Sequence, residues 1–186
     1  LVRVDLNLPM QDGAVTDSTR VRAAAPTILE LADKGAKVLL LAHFGRPKGE
    51  RVSTQSLSMV VGAVQDVLGR EVMFVPEVAG DVVSQAVGIL RPGDIAILEN
   101  TRFWKGEEAN DPDLAKAIAA NADFYVNDAF SAAHRAHATT EGLAHVLPAY
   151  AGRSMQAELE ALEKALGNPE RPVAAVVGGA KVSSKL

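Results

Sequence analysis

The sequence predicts a three-layer α/β/α fold with a mostly parallel, Rossmann-like sheet. Three observations predict it. Short apolar runs rich in β-branched residues alternate with longer segments of 3.6-residue apolar spacing. Several of the short runs are apolar throughout rather than alternating, as in strands buried on both faces. The strand–helix–strand unit then repeats, which implies right-handed crossovers returning to one sheet.

The elements follow in order. LVRVDL (1–6) is the first strand, and a helix over about 19–34 closes on Gly35, a residue suited to the position just past a helix end. AKVLLLA (36–42) is the next strand. A helix capped by Thr54 or Ser56 ends near Gly69. EVMFV (71–75), a helix over 81–90 and DIAIL (94–98) come next. Asp111-Pro112 opens a helix running to about 121, with proline favoured in the first turn. DFYVN (123–127) is the fifth strand. A charged helix over about 150–166, ended by Gly167 and Pro169, precedes a sixth strand, PVAAVV (172–177). Periodicity alone leaves that helix open as either a bridge between domains or another crossover.

Bulk properties narrow the function. At 186 residues the chain has room for one domain and part of a second. A net charge of −4 with 4% aromatic residues argues against a nucleic-acid surface. The lack of cysteine excludes disulfides and thiolate metal sites, and suits a cytoplasmic protein. No apolar run approaches the roughly 20 residues that span a bilayer. The chain starts inside a strand and stops where a helix should begin, so a fragment cut within structure at both ends is expected.

Ligands of open α/β sheets bind beyond the carboxyl ends of the strands. Beyond the first lie Asp5 and Asn7; beyond the second, His43 and Arg46; beyond the fourth, Arg102; beyond the fifth, His134, Arg135 and His137. Singly, each is an ordinary surface, turn or capping residue, and His145 is read as structural. Jointly they bring arginine to one rim of an acidic protein from three loops, which suits a small polyanion such as a phosphate ester. Arg20 opens the first long helix, where a cation opposes the helix dipole unless an anion is near. Lys181 and Lys185, four apart after Gly178 and Gly179 at an expected helix start, repeat that pattern. No Walker A or G-x-G fingerprint occurs, and no spacing suggests a metal site made by this chain alone.

VRVDLNLP, HFGRP, LENTRF, NDAFSAAHRAH and GGAKVSSK, in that order over nearly the whole chain, closely resemble the phosphoglycerate kinase family. The resemblance implies two facing α/β domains: 1–149 for phosphoglycerate, 150–168 as the joining helix, and 169–186 as the start of a nucleotide domain. It implies transfer of the acyl phosphate of 1,3-bisphosphoglycerate to ADP, giving 3-phosphoglycerate and ATP reversibly, with Mg²⁺, in a cytoplasmic glycolytic enzyme that is a monomer at full length. Asp5 and Asn7 would contact the glycerate end. His43, Arg46, Arg102 and Arg135 would clamp the non-transferred phosphate, with His134 beside them. Arg20 and Lys181 would attend the phosphoryl in flight, and Gly179, Ala180, Lys181 and Lys185 would hold nucleotide. Most nucleotide contacts and all Mg²⁺ contacts are expected from residues this chain lacks, so it should not catalyse alone.

Three departures from the family pattern stand out. Ser131-Ala132 replaces the usual Gly-Thr, which stiffens the loop before His134. Ser184 replaces a common acidic residue, which bears on nucleotide or metal contacts, and Phe44 replaces leucine harmlessly. Two rival readings remain open: an anion-binding module without kinase activity, and a structural fragment that pairs through PVAAVV.

Overall fold

The computed structural model describes residues 1–167, 169–174 and 176. The chain divides into two units, Leu1–Gln156 and Ala157–Leu186. In the first unit, the strands and helices in chain order are β1 (Val2–Arg3), β2 (Met10–Gln11), β3 (Ala14–Val15), α1 (Thr19–Asp33), β4 (Val38–Leu41), α2 (Val61–Leu68), β5 (Val72–Val75), α3 (Asp81–Ile89), β6 (Ile95–Leu98), α4 (Lys105–Glu108), α5 (Pro112–Ala119), β7 (Tyr125–Asn127) and β8 (Ala149–Ala151). Helix α6 (Arg153–Leu166) runs from this unit into the second.

Six strands form one sheet in the order β5-β6-β4-β1-β7-β8, and every pairing is parallel. The continuous apolar runs make this possible. In β4, Val38 and Leu40 join one core cluster while Leu39 and Leu41 join the other. In β6, Ile95 and Ile97 divide from Ala96 and Leu98 in the same way. Val21, Ile28 and Val64, from α1 and α2, cover the first face. Val83, Ala86 and Ile118, from α3 and α5, cover the second. Strand side chains alternate between faces, so both faces must be apolar for both helical layers to pack.

This layering fixes the place of the site. The chain leaving β4 enters a helix on the first face, whereas the chain leaving β6 enters helices on the second. Neighbouring strands whose connections diverge leave a crevice at their carboxyl ends. The segments after β4 and β6 carry His43, Arg46 and Arg102.

Local chemistry sets most boundaries. Asp111 caps α5 by accepting from the Asp113 N–H, with Pro112 in the first turn. Ser56 caps a 3₁₀ turn that leads into α2, which ends on Gly69 in the left-handed region.

The structure adds to or departs from these expectations in three places. Between the first strand and α1, where no element is expected, β2 and β3 form a hairpin: Asp12 and Gly13, at φ 51° and 79°, make the tight turn that the Asp-Gly pair favours. Residues 149–151 form a parallel edge strand beside β7, so the long helix starts at Arg153 rather than near 150. The expected strand over 172–177 falls partly outside the described residues; Pro172, Val173, Ala174 and Val176 are exposed and in no element.

Candidate active site

The floor of the rim is built around a charge that strand β1 buries. Arg3 is almost fully enclosed and spends its guanidinium on three acceptors. Nε donates to Thr139 Oγ1 at 3.1 Å, Nη1 to Val4 O at 2.5 Å, and Nη2 meets His43 Nδ1 at 2.9 Å. Thr139 passes the contact on, since its Oγ1–H donates to Glu107 Oε1 at 2.5 Å and its N–H to Oε2 at 3.0 Å. The buried Glu107 thus balances the buried Arg3, as an enclosed cation requires.

This fixes the state of His43. A guanidinium can only donate, so Nδ1 must accept and Nε2 carries the proton. Burial, together with the cations Arg3 and Arg102, brings the imidazole pKa down to about 3. His43 is therefore a neutral, pre-oriented Nε2–H donor.

The segments after β4 and β6 are stitched together by Asn100, which is fully buried. Its amide donates to Phe44 O at 2.7 Å and Gln55 O at 2.8 Å, while its oxygen accepts from the N–H groups of Phe44 and Arg102, each at 3.1 Å. Gly45 then sits between two site residues. Its N–H donates to Asn7 Oδ1 at 2.9 Å, and its carbonyl accepts from Arg102 Nη1 at 2.8 Å. With φ at 61°, this position suits glycine. The Arg102 side chain is only 6% exposed, and its Nε lies 3.1 Å from a carboxylate oxygen of Glu108.

Asp5 collects the next set of contacts. Oδ1 accepts from the Asn7 N–H at 3.0 Å and from Arg20 Nη1 at 3.2 Å, and Oδ2 accepts from the Ser131 hydroxyl at 2.6 Å. Burial pushes this carboxyl upward, but the Ser131 hydroxyl, the Asn7 N–H and Arg20 outweigh it, so it lies below its ordinary value. Arg20 also donates to Asn7 O at 2.7 Å, and its side chain is 48% exposed. Arg46 and His134 are exposed, and Arg135 is half-buried. Arg46 and the side chain of Arg135 make no ion pair with a described residue.

Electrostatics shows that these groups converge. The charge of Arg135 disfavours protonation of Arg3, His43 and Arg102, and Arg3 and Arg102 act on His43 in turn. Cations are thus held together against their mutual repulsion, which suits an anion arriving from solvent. A separate groove of about 460 Å³, lined by Thr27, Glu30, Phe124 and Tyr150, lacks this character. Its Arg153 is forked onto Glu30 at 2.8 and 3.0 Å, so its charge is already met.

A family model described as phosphoglycerate kinase matches residues 1–186. The chain belongs to the phosphoglycerate kinase family. It is 72% identical over its whole length to a phosphoglycerate kinase of Rhizorhabdus wittichii and 69% identical to that of Sphingopyxis alaskensis, covering 47% of each relative. The structure of phosphoglycerate kinase from Coxiella burnetii matches 99% of the chain with a TM-score of 0.87 at 39% identity, and the chain covers 46% of it. That from Pyrococcus horikoshii matches 98% with the same TM-score at 34% identity. The chain therefore spans about half the length of the phosphoglycerate kinases it matches.

The structure brings Asp5, Asn7, Arg20, His43, Arg102 and Arg135 to one rim. Gly179, Ala180, Lys181 and Lys185 lie outside the described residues. Sequence reasoning missed Arg3, although a lone cation in a strand buried on both faces was its signal. It also missed Glu108, which nothing in the local pattern marks.

Proposed function

We propose that the rim binds 3-phosphoglycerate and 1,3-bisphosphoglycerate, and that the protein moves the acyl phosphoryl group of the latter to ADP. The observation that carries this is the convergence of Arg102, Arg135 and Arg3 around a neutral His43, with Arg46 exposed nearby in sequence. A phosphate monoester is the small, multiply charged partner that such a set of forked donors fits.

Each residue has a role that its chemistry permits. Arg46, Arg102 and Arg135 pair with oxygens of the non-transferred phosphate, with His134 beside them. His43 Nε2–H donates to the same ligand without adding charge. Asp5, as an ionised carboxylate, can only accept, and the sole donor on an ionised glycerate end is its hydroxyl. Asn7 holds Gly45 and so fixes the backbone between Asp5 and Arg102. Arg20 leaves Asp5 to meet the phosphoryl group as it transfers. The bond from phosphorus to the acyl oxygen breaks, the carboxylate departs with the electron pair, and a terminal oxygen of ADP forms the new bond. Such a transfer asks for in-line placement and neutralised charge rather than a protein nucleophile.

Lys181 is assigned to the transferring phosphoryl, and Gly179, Ala180 and Lys185 to nucleotide. Mg²⁺, when bound with nucleotide, supplies further charge neutralisation. Its ligands are assigned, with most nucleotide contacts, to parts of the protein outside this chain. The division into a phosphoglycerate domain, 1–149, a joining helix, 150–168, and the start of a nucleotide domain belongs to the same proposal, as does a cytoplasmic setting.

An NMR titration of the chain with 3-phosphoglycerate tests the reading. Saturable amide shifts at Asn7, Gly45, Arg102 and Ser131 are expected, with ATP producing none. Shifts confined to the groove beside Tyr150 would overturn it.

A further inference from the structure

We infer that Ser131 is a positioning residue that aims the Asp5 carboxylate at the ligand's hydroxyl and, through the same bond, anchors the turn carrying His134 and Arg135. This rests on reading the rim as a 3-phosphoglycerate site.

The geometry is a count of lone pairs. Asp5 Oδ1 already accepts twice, from the Asn7 N–H and from Arg20. Oδ2 accepts once, from Ser131 at 2.6 Å, a short charge-assisted contact. One acceptor direction on Oδ2 is left, and its orientation depends on the rotation of the carboxylate plane. That terminal torsion is intrinsically broad. The Asn7 N–H and Arg20 restrain that torsion from Oδ1, and Ser131 adds the contact made at Oδ2 itself. An alanine or glycine at 131 has no donor to do this.

The same bond spans 126 positions of sequence. Ser131 sits in the single turn Phe130–Ala132, whose neighbour Ala132 is buried. His134 and Arg135 follow directly. Linking this turn to the residues after β1 therefore sets the hydroxyl acceptor and the phosphate clamp at a fixed separation. The titratable groups that face Asp5 are Arg20 from α1 and the neutral His43 after β4, and Asp5 in turn acts on Arg3 of β1. None of them takes the place of the serine hydroxyl at Oδ2.

The test compares the unsubstituted chain with Ser131→Ala and Ser131→Thr, using 3-phosphoglycerate and its analogue lacking the hydroxyl, 3-phosphonooxypropionate, in calorimetric titrations. Ser131→Ala is expected to lose about three- to tenfold in affinity for 3-phosphoglycerate and much less for the analogue. Ser131→Thr is expected to keep the preference. Equal losses for both ligands, or none, would overturn the proposal. A ligand-free readout is the carboxyl ¹³C titration of Asp5. Removing a donor to the charged form must move that titration to higher pH, and an unmoved curve would overturn the proposal whatever binds. If the unsubstituted chain fails to bind 3-phosphoglycerate while the titration does move, the reading of the rim is what has failed, and the role in aiming at a ligand falls with it.

Discussion

The rim has a floor and a lip, and they are built by opposite rules. On the floor, Arg3, His43, Asn100 and Arg102 are buried and held by the protein's own hydrogen bonds. On the lip, Arg20 is half exposed and Arg46 and His134 are exposed. Both regions carry arginine, yet the floor's guanidinium groups are enclosed by the fold, whereas on the lip Arg20 is held only from one side, by Asp5 and the Asn7 carbonyl. A buried cation must be satisfied inside the fold, so the floor couples binding to stability. An exposed cation costs the fold little and contributes little until an anion meets it.

The largest test of this contrast is removal of the floor's charge. Arg3→Met leaves Glu107 buried without its balancing cation, and should cost about 3–5 kcal/mol in urea denaturation. Arg46→Ala should stay within about 0.5 kcal/mol in the same experiment. Comparable losses would erase the distinction.

The next effect is a pH dependence. His43 titrates near 3 in the fold against an ordinary 6.5. Between those values the unfolded chain takes a proton that the folded chain refuses, so this group lowers stability as pH falls through that window, by up to about 1.4 kcal/mol per pH unit. Above 6.5 it has no effect, and below about 3 the loss levels off. His43→Gln should remove this slope, read from denaturation midpoints at stepped pH. An unchanged slope would mean that His43 is not held neutral.

A smaller effect belongs to the lip. Arg46→Ala should weaken 3-phosphoglycerate about tenfold by calorimetry, in keeping with one lost charge-assisted contact. Smallest of all, Arg20→Ala should change stability by no more than about 1 kcal/mol, because the Arg20 side chain is about half exposed and Asp5 keeps its contacts to the Asn7 N–H and Ser131. It should also leave 3-phosphoglycerate affinity nearly intact, since Arg20 is assigned to the group in transfer. A large loss of binding would move Arg20 into the clamp.

Much of the sheet was legible because burial on both faces demands uninterrupted apolar residues, as 38–41 and 95–98 supply. The rim was legible because polar residues cluster where those runs stop. What was hidden depends on distant partners. Strand β8 has three exposed residues and gains its identity only by pairing with β7. Arg46 and Arg102 look alike in sequence, and nothing local says that one is exposed and the other enclosed by Gly45 and Glu108. The Asp-Gly turn of the β2–β3 hairpin, by contrast, is marked locally by its residue types.

The preformed cationic floor is proposed to bind a phosphorylated hydroxy acid. Calorimetric titration of 3-phosphoglycerate into the chain, repeated with Arg102→Ala and at raised salt, tests it most directly, with circular dichroism confirming that both proteins are folded. Saturable binding that weakens with salt and disappears with Arg102→Ala is the predicted result. A folded chain that binds nothing, or one whose binding survives the loss of Arg102, would contradict it.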